Sequence, residues 1–280
     1  MSYRDLLVVL EDSPASQPRL EAAVKLAKAV SAHLTALCLV PEPFLPAMLG
    51  AHIPADLLAA QLAEAERSAG DRLAAAGASA QQSGVLFATV RETAAADRLP
   101  TLLAQHARRA DLTIVGQPDP EHGDLDMSLL AEAAFMDSGR PALVVPWDGT
   151  LAVSPQRIVV AWDGSREAAR AVNDALPFCE QAENVVVLVV DAKAQARKLE
   201  REPGAGIAAH LARHGARVSV AQTSSGSLGV GGTILAQVQE LRADLLVMGG
   251  YGHSRLREVI LGGATKHVLE RMTTPVLLSH

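Results

Sequence analysis

Two cysteines, Cys38 and Cys179, are too few for a disulfide framework, and neither stands in a CxxC pair or a Cys/His cluster, so both read as small buried apolar residues. Aromatics are scarce as well: two Trp, two Tyr and four Phe leave little for base-stacking platforms. The formal net charge of −6 carries no excess of positive charge, which together with the lack of aromatics argues against a nucleic-acid binder. No apolar run approaches the ~20 residues of a membrane helix. The chain begins Met-Ser-Tyr-Arg-Asp and moves into a strand rather than a signal peptide. The expectation is a cytoplasmic protein with neither membrane nor nucleic-acid partners. A hydrophobic content of 49% over 280 residues is enough for one large domain or two ordinary ones, each with a core.

The chain contains an internal repeat. Arg109-Ala110-Asp111-Leu112-Thr113-Ile114-Val115-Gly116 returns as Arg242-Ala243-Asp244-Leu245-Leu246-Val247-Met248-Gly249, with five of eight positions identical at an offset of 133. Val8 to Asp12 matches Val159 to Asp163 at an offset of 151, and Pro141 to Val144 matches Pro275 to Leu278 at 134. About 18 residues are therefore missing from the second copy between its second and fourth strands. The first copy has there a proline-bearing stretch, Pro41 to Pro54, and an Ala-rich helix expected from Ala55 to about Ala76. Its role, as a lid or as packing between the halves, stays open. Val145 to Thr150, followed by Leu151 to Pro155, reads as the linker. Charge divides unevenly: residues 1–148 hold 11 Lys and Arg against 19 Asp and Glu, and residues 149–280 hold 14 against 12, so the second half is the better host for an anion.

Short apolar runs alternate with helical patterns in both copies. Expected strands are Leu6 to Leu10, Leu34 to Val40, Val85 to Val90, Leu112 to Val115 and Ala142 to Val145, then Ile158 to Ala161, Val185 to Val190, Arg217 to Ala221, Leu245 to Met248 and Val276 to Leu278. Runs that are apolar on both faces indicate strands covered by helices on each side. The fold class is α/β: two tandem, doubly wound parallel sheets of five strands, Rossmann-like. Ligands bind such sheets at the carboxyl ends of the strands, near the switch in strand order.

The chemistry-bearing segment is Leu245 to Met248 running into Gly249-Gly250-Tyr251-Gly252, followed after nine residues by Gly262-Gly263-Ala264-Thr265. A glycine turn after a strand, with more glycines opening the next helix, lets backbone N–H groups close on an anion without Cβ atoms in the way. Asp163 ends the first strand of the second copy and can accept hydrogen bonds from a ribose hydroxyl or an adenine amine.

With these motifs the chain resembles a tandem universal stress protein, of the adenine nucleotide alpha hydrolase-like fold. In that family the last strand-loop-helix carries G-x2-G-x9-G-[S/T], and Gly249, Gly252 and Gly262 reproduce the glycine spacing. The Asp-Gly-Ser after the strand that ends at Ala161 and the repeated Arg-Ala-Asp-Leu strand also match. The resemblance implies a degenerate domain over 1–148 and a nucleotide-binding domain over 155–280. It implies that Asp163 and Val189 touch the nucleoside, that Gly249 and Gly252 line the ribose and phosphate side, and that Gly262 and the residues after it hold phosphates. The ligand would be ATP, ADP or AMP, with Mg²⁺ as a companion ion. Gly263 stands where the family has Ser or Thr, so the hydroxyl for a terminal phosphate is missing; Gly263 keeps its N–H, and Thr265 is the nearby hydroxyl. His253 and Arg255 flank the loop and could reach phosphates. The resemblance further implies that the last strands, near Leu143 and Leu277, pair the halves into a pseudo-dimer, and that two chains associate as a homodimer.

The first copy departs from the pattern. After Gly116 it has Pro118 and Pro120, which lack N–H donors, and four carboxylates, Asp119, Glu121, Asp124 and Asp126, where phosphates would sit. No nucleotide is expected there. Gly226 to Thr233 lacks the Lys-[Ser/Thr] of a phosphate loop and reads as a flexible connection. His210 and His214 are spaced i, i+4 but have no third zinc ligand, so no metal site is expected. Ser165 and Ser254 lack a nucleophile elbow, and no catalytic residue is assigned. The expected role is a stress-response binding module that senses an adenine nucleotide. A slow ATP hydrolase and a ligand-free interaction scaffold are the alternatives.

Overall fold

Leu6, Val8 and Leu10 pack on one face of the sheet while Leu7 and Val9 pack on the other, and all five are buried. Such a strand has no solvent side, which is why it reads as an unbroken apolar run. The structure, a computed structural model, describes residues 3–43, 54–117, 127–147, 151–192, 202–251 and 263–280.

The first half runs β1 (Asp5–Leu10), α1 (Ser16–Val30), β2 (His33–Pro41), α2 (Ala55–Ser83), β3 (Phe87–Ala94), a 3₁₀ turn (Ala96–Arg98), α3 (Leu99–Ala107), β4 (Leu112–Gly116), α4 (Met127–Met136) and β5 (Ala142–Val145). The second runs β6 (Arg157–Ala161), α5 (Arg166–Asp174), α6 (Leu176–Cys179), β7 (Asn184–Val190), α7 (Ala205–Arg213), β8 (Val218–Thr223), α8 (Gly229–Glu240), β9 (Leu245–Gly249), α9 (Ala264–Arg271) and β10 (Val276–Ser279). All ten strands form one sheet in the order β3-β2-β1-β4-β5-β10-β9-β6-β7-β8. Every neighbouring pair is parallel except β5 with β10, which are antiparallel with Leu143 opposite Leu277. The duplicated chain thus pairs its own last strands, and Leu143, Val144, Val276, Leu277 and Leu278 are sealed from solvent. Edge pairing of this kind removes two exposed strand edges that would otherwise template association.

Helices α1, α2, α5, α6 and α7 cover one face and α3, α4, α8 and α9 the other, and each of the two cores contains residues from both halves. The repeated Arg-Ala-Asp-Leu acquires a structural meaning. The Asp111 carboxylate accepts the Arg4 and Asp5 N–H groups at 2.7 and 3.1 Å, and the Asp244 carboxylate accepts those of Gln156 and Arg157, both at 2.9 Å. Each aspartate therefore fixes the start of the first strand of its own half.

The antiparallel junction has one consequence for function. Strands of the two halves point in opposite directions, so their carboxyl ends lie at opposite edges of the sheet. The helix before the last strand of each half, α4 or α9, then ends beside the carboxyl end of the other half's strands.

Four elements differ from expectation. Helix α2 continues to Ser83 rather than stopping near Ala76, because its left-handed terminator is Gly84 (φ 70°), whose N–H reaches the Ala80 and Gln81 carbonyls. It buries Ala69, Leu73, Ala76 and Ala80 against β2, β3 and α1, within the first half. The edge strands β3 and β8 start later and extend further than the apolar runs, through Glu92 and Thr93 paired with β2 and through Gln222 and Thr223 paired with β7. Most of the Gly226 to Thr233 stretch is helix rather than connection. Helix α8 begins at Gly229, the Thr233 hydroxyl donates to the Ser225 carbonyl (3.1 Å), and a Cβ at Gly231 would come within 3.1 Å of the Ala264 carbonyl. The glycines let α8 lie against α9.

Candidate functional site

The switch in strand order of the second half falls between β6 and β9, whose pairing runs from Ile158↔Leu245 to Ala161↔Met248. Asp163 and Gly249 therefore follow adjacent strand ends. Asp163 is exposed, and its Oδ1 accepts the Ser165 N–H at 2.9 Å. Ser165 in turn caps α5, its hydroxyl accepting the Ala168 N–H at 3.1 Å. Local hydrogen bonds thus hold this carboxylate in the turn between β6 and α5.

Gly249 is needed for close approach. A Cβ there would lie 2.6 Å from the Ala168 nitrogen and 2.7 Å from the Glu167 carbonyl carbon, so α5 packs directly on the backbone at the end of β9. Glu167, in that first turn, is buried and pairs with the exposed Arg166 (2.5 Å); desolvation, the largest single effect, opposes its ionisation, but the Arg166 hydrogen bond and charge together with its own backbone N–H hold the carboxyl below its usual range. Past Gly249 the chain turns sharply. The Gly250 N–H donates to the Ser279 carbonyl (2.9 Å), and Tyr251 takes a left-handed φ of 50° with its N–H donated to the Thr265 Oγ1 (3.1 Å). That bond joins the turn after β9 to the first turn of α9.

Helix α9 starts at Ala264 after Gly263, which provides no side-chain cap. Among the described residues no side chain caps its first-turn N–H groups, and its positive dipole end favours an anion. Thr265 is buried and accepts the Tyr251 N–H, so its hydroxyl serves the turn. Val189 is fully buried in the core between the sheet and α7, and its side chain belongs to that core; only its backbone is offered to a ligand. Gly252, His253, Arg255 and Gly262 lie outside the described residues. The structure thus brings Gly249, Thr265 and the start of α9 together through Tyr251, with Asp163 on the neighbouring strand end.

Sequence reasoning missed Tyr251 and its partners in the first half. The Tyr251 hydroxyl donates to Glu132 of α4 (2.5 Å), and its ring stacks on Phe135 with centroids 6.1 Å apart and planes inclined by 14°. The only signal was an aromatic residue set among glycines.

In the first half a buried ion pair lies beside the corresponding strand end. Arg19 and Glu11 form a buried ion pair, with the Arg19 Nε donating to the Val9 carbonyl (3.3 Å) and the Ser13 hydroxyl to Glu11 (2.8 Å). A Cβ at Gly116, the counterpart of Gly249, would run into the Arg19 guanidinium. Asp12, the counterpart of Asp163, faces Arg72 of α2 at 3.4 Å. The prolines and carboxylates of residues 118–126 lie outside the described residues.

The remaining candidates carry less. His210 and His214 lie with ring centroids 4.7 Å apart and planes inclined by 57°, and His214 lies 4.0 Å from Glu180; among the described residues no group of three or more His, Cys, Asp or Glu could hold a metal. Cys38 and Cys179 are buried free thiols, and burial beside Glu180 pushes Cys179 up to about 12. Among the described residues no helix is long and apolar enough to cross a membrane.

Comparison with known proteins agrees with the duplicated architecture. The model of the universal stress protein family matches twice, over residues 2–131 and 155–280. A universal stress protein from Archaeoglobus fulgidus DSM 4304 superposes with a TM-score of 0.73 at 19% identity, over 98% of this chain and 95% of that one. A protein of unknown function from Pseudomonas aeruginosa PAO1 gives a TM-score of 0.59 at 17% identity, over 99% of this chain and 92% of the other. At these identities the likeness concerns the fold. No match was found among curated proteins. With two tandem family matches laid over two five-stranded halves, the chain belongs to the universal stress protein family.

Proposed function

We propose that the second half, residues 155–280, binds one adenine nucleotide at the carboxyl ends of β6 and β9, and that the chain acts as a nucleotide-responsive stress-response module in the cytoplasm rather than as a catalyst. The observation that carries this reading is the Gly249-x2-Gly252-x9-Gly262 spacing set directly after β9, at the switch in strand order, with Asp163 on the adjacent strand end. The first-turn N–H groups of α9, which have no side-chain cap among the described residues, favour phosphate there.

The first half, residues 1–148, serves as a nucleotide-free partner: Pro118 and Pro120 lack N–H donors and Asp119, Glu121, Asp124 and Asp126 stand where phosphates would sit, while a buried Arg19–Glu11 pair lies beside Gly116. The second half has no Ser or Thr at position 263, and the Thr265 hydroxyl is held to Tyr251. Without the hydroxyl at position 263 a terminal phosphate gains less than the family pattern provides, so ATP, ADP and AMP should bind within about tenfold of one another, a spread of roughly 1.4 kcal/mol. Isothermal titration of each nucleotide, with and without Mg²⁺, into wild type and Gly252→Val tests this. Heat with wild type and none with the variant is expected; no heat with any nucleotide rejects the reading.

A further inference from the structure

The contacts that cross between the halves are unequal in a way that concerns the second half's site. Where the second half has Gly250, the first has Gln117, whose buried amide donates to the Leu269 carbonyl of α9 at 2.8 Å. In the opposite direction, Gly250 has no side chain because the Phe135 ring of α4 lies directly over it. Tyr251 then stacks on that ring and donates its hydroxyl to Glu132. The first half therefore holds α9 near its carboxyl end through Gln117 and the turn leading into the glycine segment through α4.

Tyr251 is where these constraints meet. Its left-handed φ of 50° is unusual for a bulky aromatic residue and persists only if the surroundings enforce it. Among the described residues three contacts do so: the N–H bond to Thr265 in the first turn of α9, the ring on Phe135 and the hydroxyl on Glu132. Two of the three belong to the first half.

We propose that Tyr251 is a positioning residue through which α4 of the first half sets the nucleotide affinity of the second, so that the degenerate half regulates its partner. This rests on the nucleotide-binding reading above. A bond from a hydroxyl to a carboxylate is worth more than a neutral one, and its loss frees a backbone conformation that tyrosine does not favour by itself. Because the coupling is an equilibrium property, it acts both ways: nucleotide bound in the second half stabilises α4 in the first.

The test is a cycle of Tyr251→Phe, Glu132→Ala and the double variant, with Glu132→Gln as the conservative change, titrated with ATP at 25 °C and followed by amide hydrogen exchange. Tyr251→Phe keeps the stacked ring and loses only the hydroxyl. It should raise the ATP dissociation constant about tenfold, Glu132→Ala should do the same, and the double variant should be no weaker than Glu132→Ala alone. Glu132→Gln, which keeps an acceptor oxygen, should fall between. Saturating ATP should slow exchange across residues 127–136 in wild type and not in Tyr251→Phe, a response that a purely structural role would leave unchanged. Wild type that binds ATP while Tyr251→Phe binds within twofold of it, or single effects that multiply in the double variant, overturns the proposal and leaves the binding reading intact. No binding by wild type overturns both. Should Glu132→Ala not fold, Tyr251→Phe with Glu132→Gln decides by the same criteria.

Discussion

Replacing Glu11 with alanine strips a buried guanidinium of its counter-charge. Arg19 is 2% exposed and Glu11 9%, and with the carboxylate gone the guanidinium keeps the Val9 carbonyl at 3.3 Å as its remaining hydrogen-bond acceptor among those described. Breaking a buried pair by deleting one partner costs about 3–5 kcal/mol, a large share of a total stability of roughly 5–15 kcal/mol. At roughly 2–4 °C per kcal/mol for a chain of this size, melting should fall on the order of 10 °C. Glu11→Leu combined with Arg19→Met replaces the pair by apolar groups and should recover most of this loss, since desolvating two charges consumes much of their attraction. Urea denaturation followed by circular dichroism measures both variants. A cost below about 1 kcal/mol for Glu11→Ala, or a double variant as unstable as the single, would refute the claim that a buried ion pair closes the first half.

Further expectations concern packing and titration. Gly249→Ala places a Cβ 2.6 Å from the Ala168 backbone nitrogen, so α5 must shift; a loss of about 1–3 kcal/mol in urea denaturation is expected, and a neutral result would show that this approach is not tight. Thr113 is fully buried with its hydroxyl unpaired among the described residues, so Thr113→Val should raise stability by about 1 kcal/mol, and a loss of stability would reveal a partner for that hydroxyl. The Asp191 carboxylate accepts the Ser225 N–H (3.0 Å) and hydroxyl (2.7 Å), and these bonds, the backbone one first, hold it below its usual range. Its folded value being depressed, its stabilising effect is complete above the unfolded value of about 4 and is lost as pH falls below that. Hydrogen exchange corrected for intrinsic rate should show the Ser225 amide losing protection over that acid window, and protection that stays constant would contradict the assignment.

Much of the fold is legible because its strands are buried on both faces, so burial and sequence pattern coincide in β1, β4 and β9. The edge strands are harder to read. In β3 and β8 the last pairs involve Glu92, Thr93, Gln222 and Thr223, whose backbones complete the ladder while their side chains carry no apolar signal. Helix α2 runs past Ala76 because Gly77 is carried inside it and the left-handed terminator comes only at Gly84. Of the site, the motif showed which strand ends and which helix matter. It did not show that Thr265 is held by Tyr251, or that Tyr251 reaches Glu132 across a separation of 119 residues. That contact depends on the antiparallel meeting of β5 and β10, a tertiary fact with no local pattern. The Arg19–Glu11 pair was missed for a similar reason: an arginine on an amphipathic helix reads as solvated unless the strand end beneath it is known to carry its partner.

The most direct test of nucleotide binding in one half only is the stoichiometry of the complex. Native mass spectrometry of the chain with saturating ATP should show one nucleotide per chain, lost in Gly252→Val and retained in Glu11→Ala. Two nucleotides per chain, or none, would contradict the account.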